Sequence, residues 1–257
     1  MWKQFRIFVL LLILLGVALS AWLDRTTTTS WKEPLWVGIF PINADGSPVA
    51  ESYIASLKRE DFADIEAFFA TQAPLYGRTL ERPVHIELYP QSSRLPPLLE
   101  PGAGPLGAAW WSLKLRWFAA HAAQVPGRAP PRIRLFVLYY DPANLQTVPD
   151  SHGMQKGLVG VVYAFADRGM AGSNDFVVAH ELLHTLGATD KYVPGTGAPA
   201  FPDGFADPDS KPLYPQTETE VMAGRRALSP TESAMPLSLR EVVVGPRTAA
   251  EIRWTAH

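Results

Sequence analysis

His180 and His184 stand four residues apart in HELLHTLGATD, with Glu181 directly after the first histidine and Asp190 closing the stretch. On an α-helix positions i and i+4 share a face, so the two imidazoles can be aimed at one ion. Glu181 falls about 100° round such a helix, beside the ion rather than on it, which suits a general base acting on a metal-activated water. An H-E-x-x-H helix is a zinc-hydrolase signature. Gly187 can take the φ > 0 conformation that stops a helix and turns the chain. After that turn Asp190 can bring back a carboxylate as third protein ligand, with a fourth position left for water. A helix with two ordinary surface histidines and a glycine cap explains Gly187, but neither Glu181 nor Asp190.

The rest of the chain offers few rivals. It contains no cysteine, which excludes disulfides and thiolate sites and leaves His, Asp and Glu to hold any metal. Glu218 or Glu220 could replace Asp190 as third ligand, an arrangement that needs a second helix where this region reads as loop. Asp203, Asp207 and Asp209 offer hard oxygen ligands for calcium, but their spacing fits no standard loop and a solvated acidic turn is preferred. His85, His121, His152 and His257 read as structural or solvated. His152 stands out among them because it precedes a strand that can border a cleft.

These residues need elements to position them. LWVGIFPI (Leu35–Ile42), VHIELY (Val84–Tyr89), RIRLFVLYY (Arg132–Tyr140) and LVGVVYAFA (Leu158–Ala166) read as strands. Helical spacing runs from Tyr53 to Phe69, broken near Arg59-Glu60-Asp61, and from Leu106 to Gln124. Asn174 is the expected N-cap of the motif helix. Past Asp190, YVPGTGAPAFPDGFADPDSKPLYP is loop in composition, and a short helix is expected from about Arg247 to Trp254. The resulting fold class is α+β: a twisted mixed sheet packed on the motif helix and one or two others.

The N-terminus carries a separate signal. Lys3 and Arg6 precede Ile7–Leu23, a run without charge. At 1.5 Å per residue that run rises about 25 Å, near the ~30 Å hydrocarbon core of a bilayer. Residues 1–24 therefore read as a membrane anchor or a cleaved signal peptide (Ala18-Leu19-Ser20 is an acceptable cleavage site), 25–34 as a polar tether, and 35–257 as the domain. Either reading places the domain beyond the cytoplasmic membrane: at the bacterial inner membrane facing the periplasm, or secreted. Lys+Arg 23 against Asp+Glu 25 gives a net charge of −2, with no electrostatic footprint for nucleic acid.

The pattern His180-Glu181-x-x-His184-x-x-Gly187-x-x-Asp190 resembles the metzincin zinc-peptidase signature, in the variant with aspartate as last ligand found in snapalysin-like enzymes. The wider run, through HTLGATDKY, YPQ, VMAGR and VVVGPRTAAEI, is similar to bacterial membrane-associated proteins carrying this motif. The resemblance implies zinc as cofactor, His180, His184 and Asp190 as its ligands, and Glu181 as base. It also implies a methionine turn beneath the metal, for which Met222 in EVMAG fits better than Met235 in SAMPLS. Several metzincins place a tyrosine two residues after that methionine, where this chain has Gly224. Tyr214 or Tyr192 is then left to stabilise an oxyanion.

The expected activity is zinc-dependent hydrolysis of a peptide or protein substrate, with the strand Leu158–Ala166 binding the extended peptide. Two other readings stand beside it: a non-catalytic, zinc-stabilised binding domain tethered at the membrane, and an amidase acting on cell-wall peptides.

Overall fold

Strand β1 (Leu35–Asn43) is buried along nearly its whole length, as a strand with both faces covered must be. Its side chains alternate between two cores. Val37 and Ile39 point into one, Phe40 and Ile42 into the other. The computed structural model describes residues 28–255 except Glu100, Pro101, Gln146, Asp150, Lys156 and Gly157, together with Trp2, residues 4–8, Leu11, Leu12, Leu15 and Gly16. The apolar run Ile7–Leu23 lies mostly outside the described residues, as does His257. Among those described, no helix is long and apolar enough to cross a membrane.

The fold is mixed α+β. A five-stranded sheet has the order β2-β1-β3-β5-β4, with β2 at Val84–Leu88, β3 at Ile133–Tyr140, β4 at His152–Met154 and β5 at Val159–Phe165. The first four strands are parallel, and β4 pairs antiparallel to β5 at one edge. On one face lie α1 (Pro48–Ser56), α2 (Ala63–Gln72), α4 (Ala171–Leu186) and α5 (Pro246–Glu251). The helix α3 (Pro105–Ala122) alone covers the other face, through Trp111, Leu115, Phe118 and Ala119. Four short strands complete the C-terminal part: β6 (Thr219–Glu220) with β9 (Val242–Val243), and β7 (Arg226–Ala227) with β8 (Ser233–Ala234).

Three expectations need correction. The helix expected from Tyr53 starts at Pro48, where Ser47 caps it by accepting from the Ala50 amide at 3.1 Å, and the break at Arg59–Phe62 is a 3-10 turn. Asn174 is not a cap, since α4 begins at Ala171; its side chain instead bonds both backbone groups of Phe165, at 3.2 and 2.9 Å, pinning the motif helix to β5. The outer edge of β5 is not free for a peptide, because β4 pairs with it from Val159 to Val161.

Asp175, beside Asn174, is buried in the same region with no hydrogen bond or ion pair to its carboxylate among the described residues. Burial, then the neighbouring Asp64 and Asp61 carboxylates, push it up to about 7. Unfolded, the same group titrates near ~3.9. Between these values the folded state holds a proton the unfolded state has lost, so stability falls as pH rises from about 4 to about 7, then levels off. Asp175→Asn removes that loss, worth on the order of a few kcal/mol. Its melting temperature should exceed wild type by several degrees at pH 8 and differ little at pH 4.5, as thermal unfolding at the two pH values will show.

Candidate metal centre

Helix α4 carries His180, Glu181 and His184, and its last residues turn the chain back toward them. Gly187 caps the helix at φ 103°, with its amide on His184 O at 3.0 Å and the Ala188 amide on Leu183 O at 3.1 Å. A side chain there would also run into Gln155. The turn brings Asp190 Oδ1 to 3.3 Å from His180 Nε2 and 3.1 Å from His184 Nε2, while the two Nε2 atoms are 3.1 Å apart.

The backbone sets which nitrogen of each ring carries the proton. His180 Nδ1 lies 2.9 Å from Val221 O, and His184 Nδ1 lies 2.9 Å from Ala188 O. A carbonyl only accepts, so each Nδ1 is the donor, and each neutral ring turns its Nε2 lone pair to the centre. Two imidazole lone pairs and a carboxylate oxygen thus converge with no donor between them. Such a cluster repels itself unless a cation sits in it. Ligand atoms ~2.0–2.1 Å from a tetrahedral zinc are roughly 3.3–3.4 Å apart, close to the spacing seen here. Without the ion a proton on Nε2 must take its place: bonds donated by His180 and His184 outweigh the burial that tends to raise the Asp190 carboxyl and hold it well below the usual carboxylate range.

Glu181 is 3% exposed, and its Oε2 is buried without a hydrogen-bond donor at good geometry. A carboxylate oxygen of Glu181 also lies within 4.8 Å of a ligand nitrogen of each imidazole. Burial pushes the Glu181 carboxyl up, against the pull of the two imidazoles and the Gly153 amide. A buried carboxyl with an unused oxygen beside a cation site is equipped to carry a proton.

β4 forms the wall above this carboxylate. A Cβ on Gly153 would overlap Glu181 O and come within 2.6 Å of His184 Cβ, so only glycine lets the strand lie directly on the helix. His152 meets Trp111 edge to face at 6.0 Å, joining that wall to α3. Together they bound a cleft of about 1010 Å³, with His180, Glu181, His184 and Asp190 on its lining. Tyr192 lines the cleft, whereas Tyr214 packs on Phe205 at 5.8 Å outside it. Met235 stands at the rim, 40% exposed, and Met222 is fully buried in the 3-10 turn Val221–Ala223 that supplies the carbonyl to His180. Asp203, Asp207 and Asp209 are exposed, and Asp207 Oδ1 accepts the Asp209 amide at 3.2 Å, as in an ordinary acidic turn.

Two carboxylates, Glu251 half-buried and Glu220 buried, hold the ligands in place, a role that sequence reasoning gave to neither. Glu251 accepts Thr189 N and Oγ1, both at 2.9 Å, and Lys191 Nζ at 2.8 Å, clamping the residues on either side of Asp190. Lys191 N in turn bonds Met222 O at 2.8 Å. Glu220, considered as a rival ligand, is spent elsewhere. Its Oε2 accepts Met222 N at 2.7 Å and Ala223 N at 3.0 Å, and its Oε1 accepts Gly245 N at 3.1 Å and Thr248 Oγ1 at 2.6 Å. Glu218 is exposed. Glu220→Gln sets an amide NH2 against some of those donors and should lower stability by roughly 2–4 kcal/mol. A urea midpoint equal to that of wild type would show that Glu220 does not carry the turn. No protein-family model matches the chain, and no curated protein matches it.

Proposed function

We propose that the chain is a metzincin-like zinc endopeptidase, with His180, His184 and Asp190 as ligands and Glu181 as general base. One observation carries this reading: three lone-pair donors of zinc-ligand type converge at 3.1–3.3 Å, each histidine held in the required tautomer by a backbone carbonyl. A zinc ion bound there would polarise a scissile carbonyl and lower the pKa of water toward ~7. Glu181 takes a proton from the attacking water and passes it to the leaving amine nitrogen. β4, the last strand of the sheet, is the edge strand beside which an extended peptide would lie, in place of β5. Of the two tyrosines expected to serve a developing oxyanion, Tyr192 is on the cleft and Tyr214 is not.

The mixed sheet with its antiparallel edge beside the motif helix, and Met222 under His180, support the metzincin-like assignment. The uncharged run Ile7–Leu23 supports a domain tethered at the bacterial inner membrane and facing the periplasm, or secreted after cleavage. Purified protein with zinc is expected to cleave an unstructured protein, to stop with chelator and to resume with added zinc. Stoichiometric zinc without cleavage of that protein or of cell-wall peptides would establish the zinc-stabilised binding domain instead. Cleavage confined to cell-wall peptides would identify the amidase.

A further inference from the structure

Helix α3 has a second apolar face that the fold does not use. Leu106, Trp110, Leu113 and Trp117 are 88%, 62%, 55% and 65% exposed. At 100° per residue they fall within about 60° of one another, opposite the buried Trp111, Leu115 and Phe118. Lys114 and Arg116 flank this stripe, roughly 70–90° to either side. Leu95 and Leu98, 57% and 64% exposed, extend the patch along the preceding loop, which Trp111 Nε1 ties to the helix through Pro97 O at 2.8 Å.

The geometry points to this face as a docking surface for an anionic phospholipid bilayer. A Leu/Trp stripe between two long cations is what lies in a membrane interface, with rings at headgroup depth and charges reaching outward. The charge argument extends beyond the helix. From Pro101 to Tyr140 the chain carries Lys114, Arg116, Arg128, Arg132 and Arg134 and no Asp or Glu, although the whole molecule is slightly acidic. Of these, Arg128 is paired with Glu87 at 3.5 Å, while Lys114 and Arg116 flank the stripe itself, where anionic headgroups would meet them. The tether keeps the domain near lipid, and this step rests on the membrane reading proposed above. With Ile7–Leu23 in a bilayer, the four residues before the buried Thr28 reach at most about 14 Å, which holds the domain near the headgroups without choosing its face, since Trp31 packs on the side of the sheet opposite α3. Leu99, next to Leu98 of the patch, also lines the cleft, so docking would set the cleft mouth near the lipid.

The chain has no native cysteine, so Leu113→Cys gives the full-length protein a single site for an environment-sensitive fluorophore. Glu60→Cys, exposed on the opposite side of the sheet, is the control. Both are reconstituted in vesicles of phosphatidylcholine, with or without phosphatidylglycerol. Expected is blue-shifted emission from the Leu113→Cys probe in the anionic vesicles, quenched by nitroxide-bearing lipids and reduced by salt, with the control water-like throughout. Adding Lys114→Gln and Arg116→Gln should lower the ratio of docked to undocked protein about tenfold. A water-like Leu113→Cys probe in both vesicles overturns the proposal. So does a blue shift without lipid quenching, which would mean that a second copy or the chain's own N-terminal segment covers the stripe. Flotation of the same samples in high salt reports the N-terminal anchor separately, and neither readout depends on zinc or on hydrolysis.

Discussion

Glu181→Gln should slow peptide hydrolysis by about 10²–10⁴-fold while zinc binding stays at the wild-type level. The substitution preserves shape in a site where Glu181 is 3% exposed, so neither a cavity nor an overlap disturbs the helix. It removes only the capacity to take up a proton. Burial already pushes the Glu181 carboxyl up, toward the range where a base can both accept a proton and release it. Rates and zinc content measured on one preparation make the outcome unambiguous. Equal cleavage by the variant would end this mechanism, and a parallel fall in zinc would make Glu181 a ligand rather than a base.

The parts of this site that could be read in the sequence are those that depend on local geometry. His180, Glu181, His184 and Gly187 lie on one helix and its cap, where periodicity and the steric freedom of glycine decide everything. Four of the five strands were legible as well: the long apolar runs became β1, β3 and β5 because both faces of each are covered, and Val84–Tyr89 became β2. What escaped depends on distant contacts. β4 spans only His152–Met154, and it exists because Gly153 lets a strand rest on a helix almost thirty residues later, which no local propensity encodes. Asn174 has the chemistry of a cap, yet tertiary contact with Phe165 uses it better. The carbonyls of Val221 and Ala188 set the histidine tautomers, and every residue has a carbonyl, so nothing in the side-chain pattern marks these two. Glu251 stands 60 residues from Lys191 and could only be matched to it in three dimensions.

That long-range support decides the second large effect, at Asp190. Asp190→Ala should weaken zinc binding by more than the about 10–100-fold that loss of a supporting hydrogen bond to a ligand costs. The loop should not collapse with it. Glu251 grips Thr189 and Lys191 independently of the Asp190 side chain, and Lys191 N stays on Met222 O. The unfolding midpoint measured without metal should therefore fall only modestly, by the loss of the Asp190 bonds to the two histidines. A large loss of zinc affinity beside a small change in metal-free stability is what a ligand predicts. Equal zinc in both proteins would shift the third ligand to Glu181, the nearest other carboxylate, and Glu181→Gln would then lose zinc while Asp190→Ala kept it. Measured as a pair, the two variants assign base and ligand without reference to any substrate.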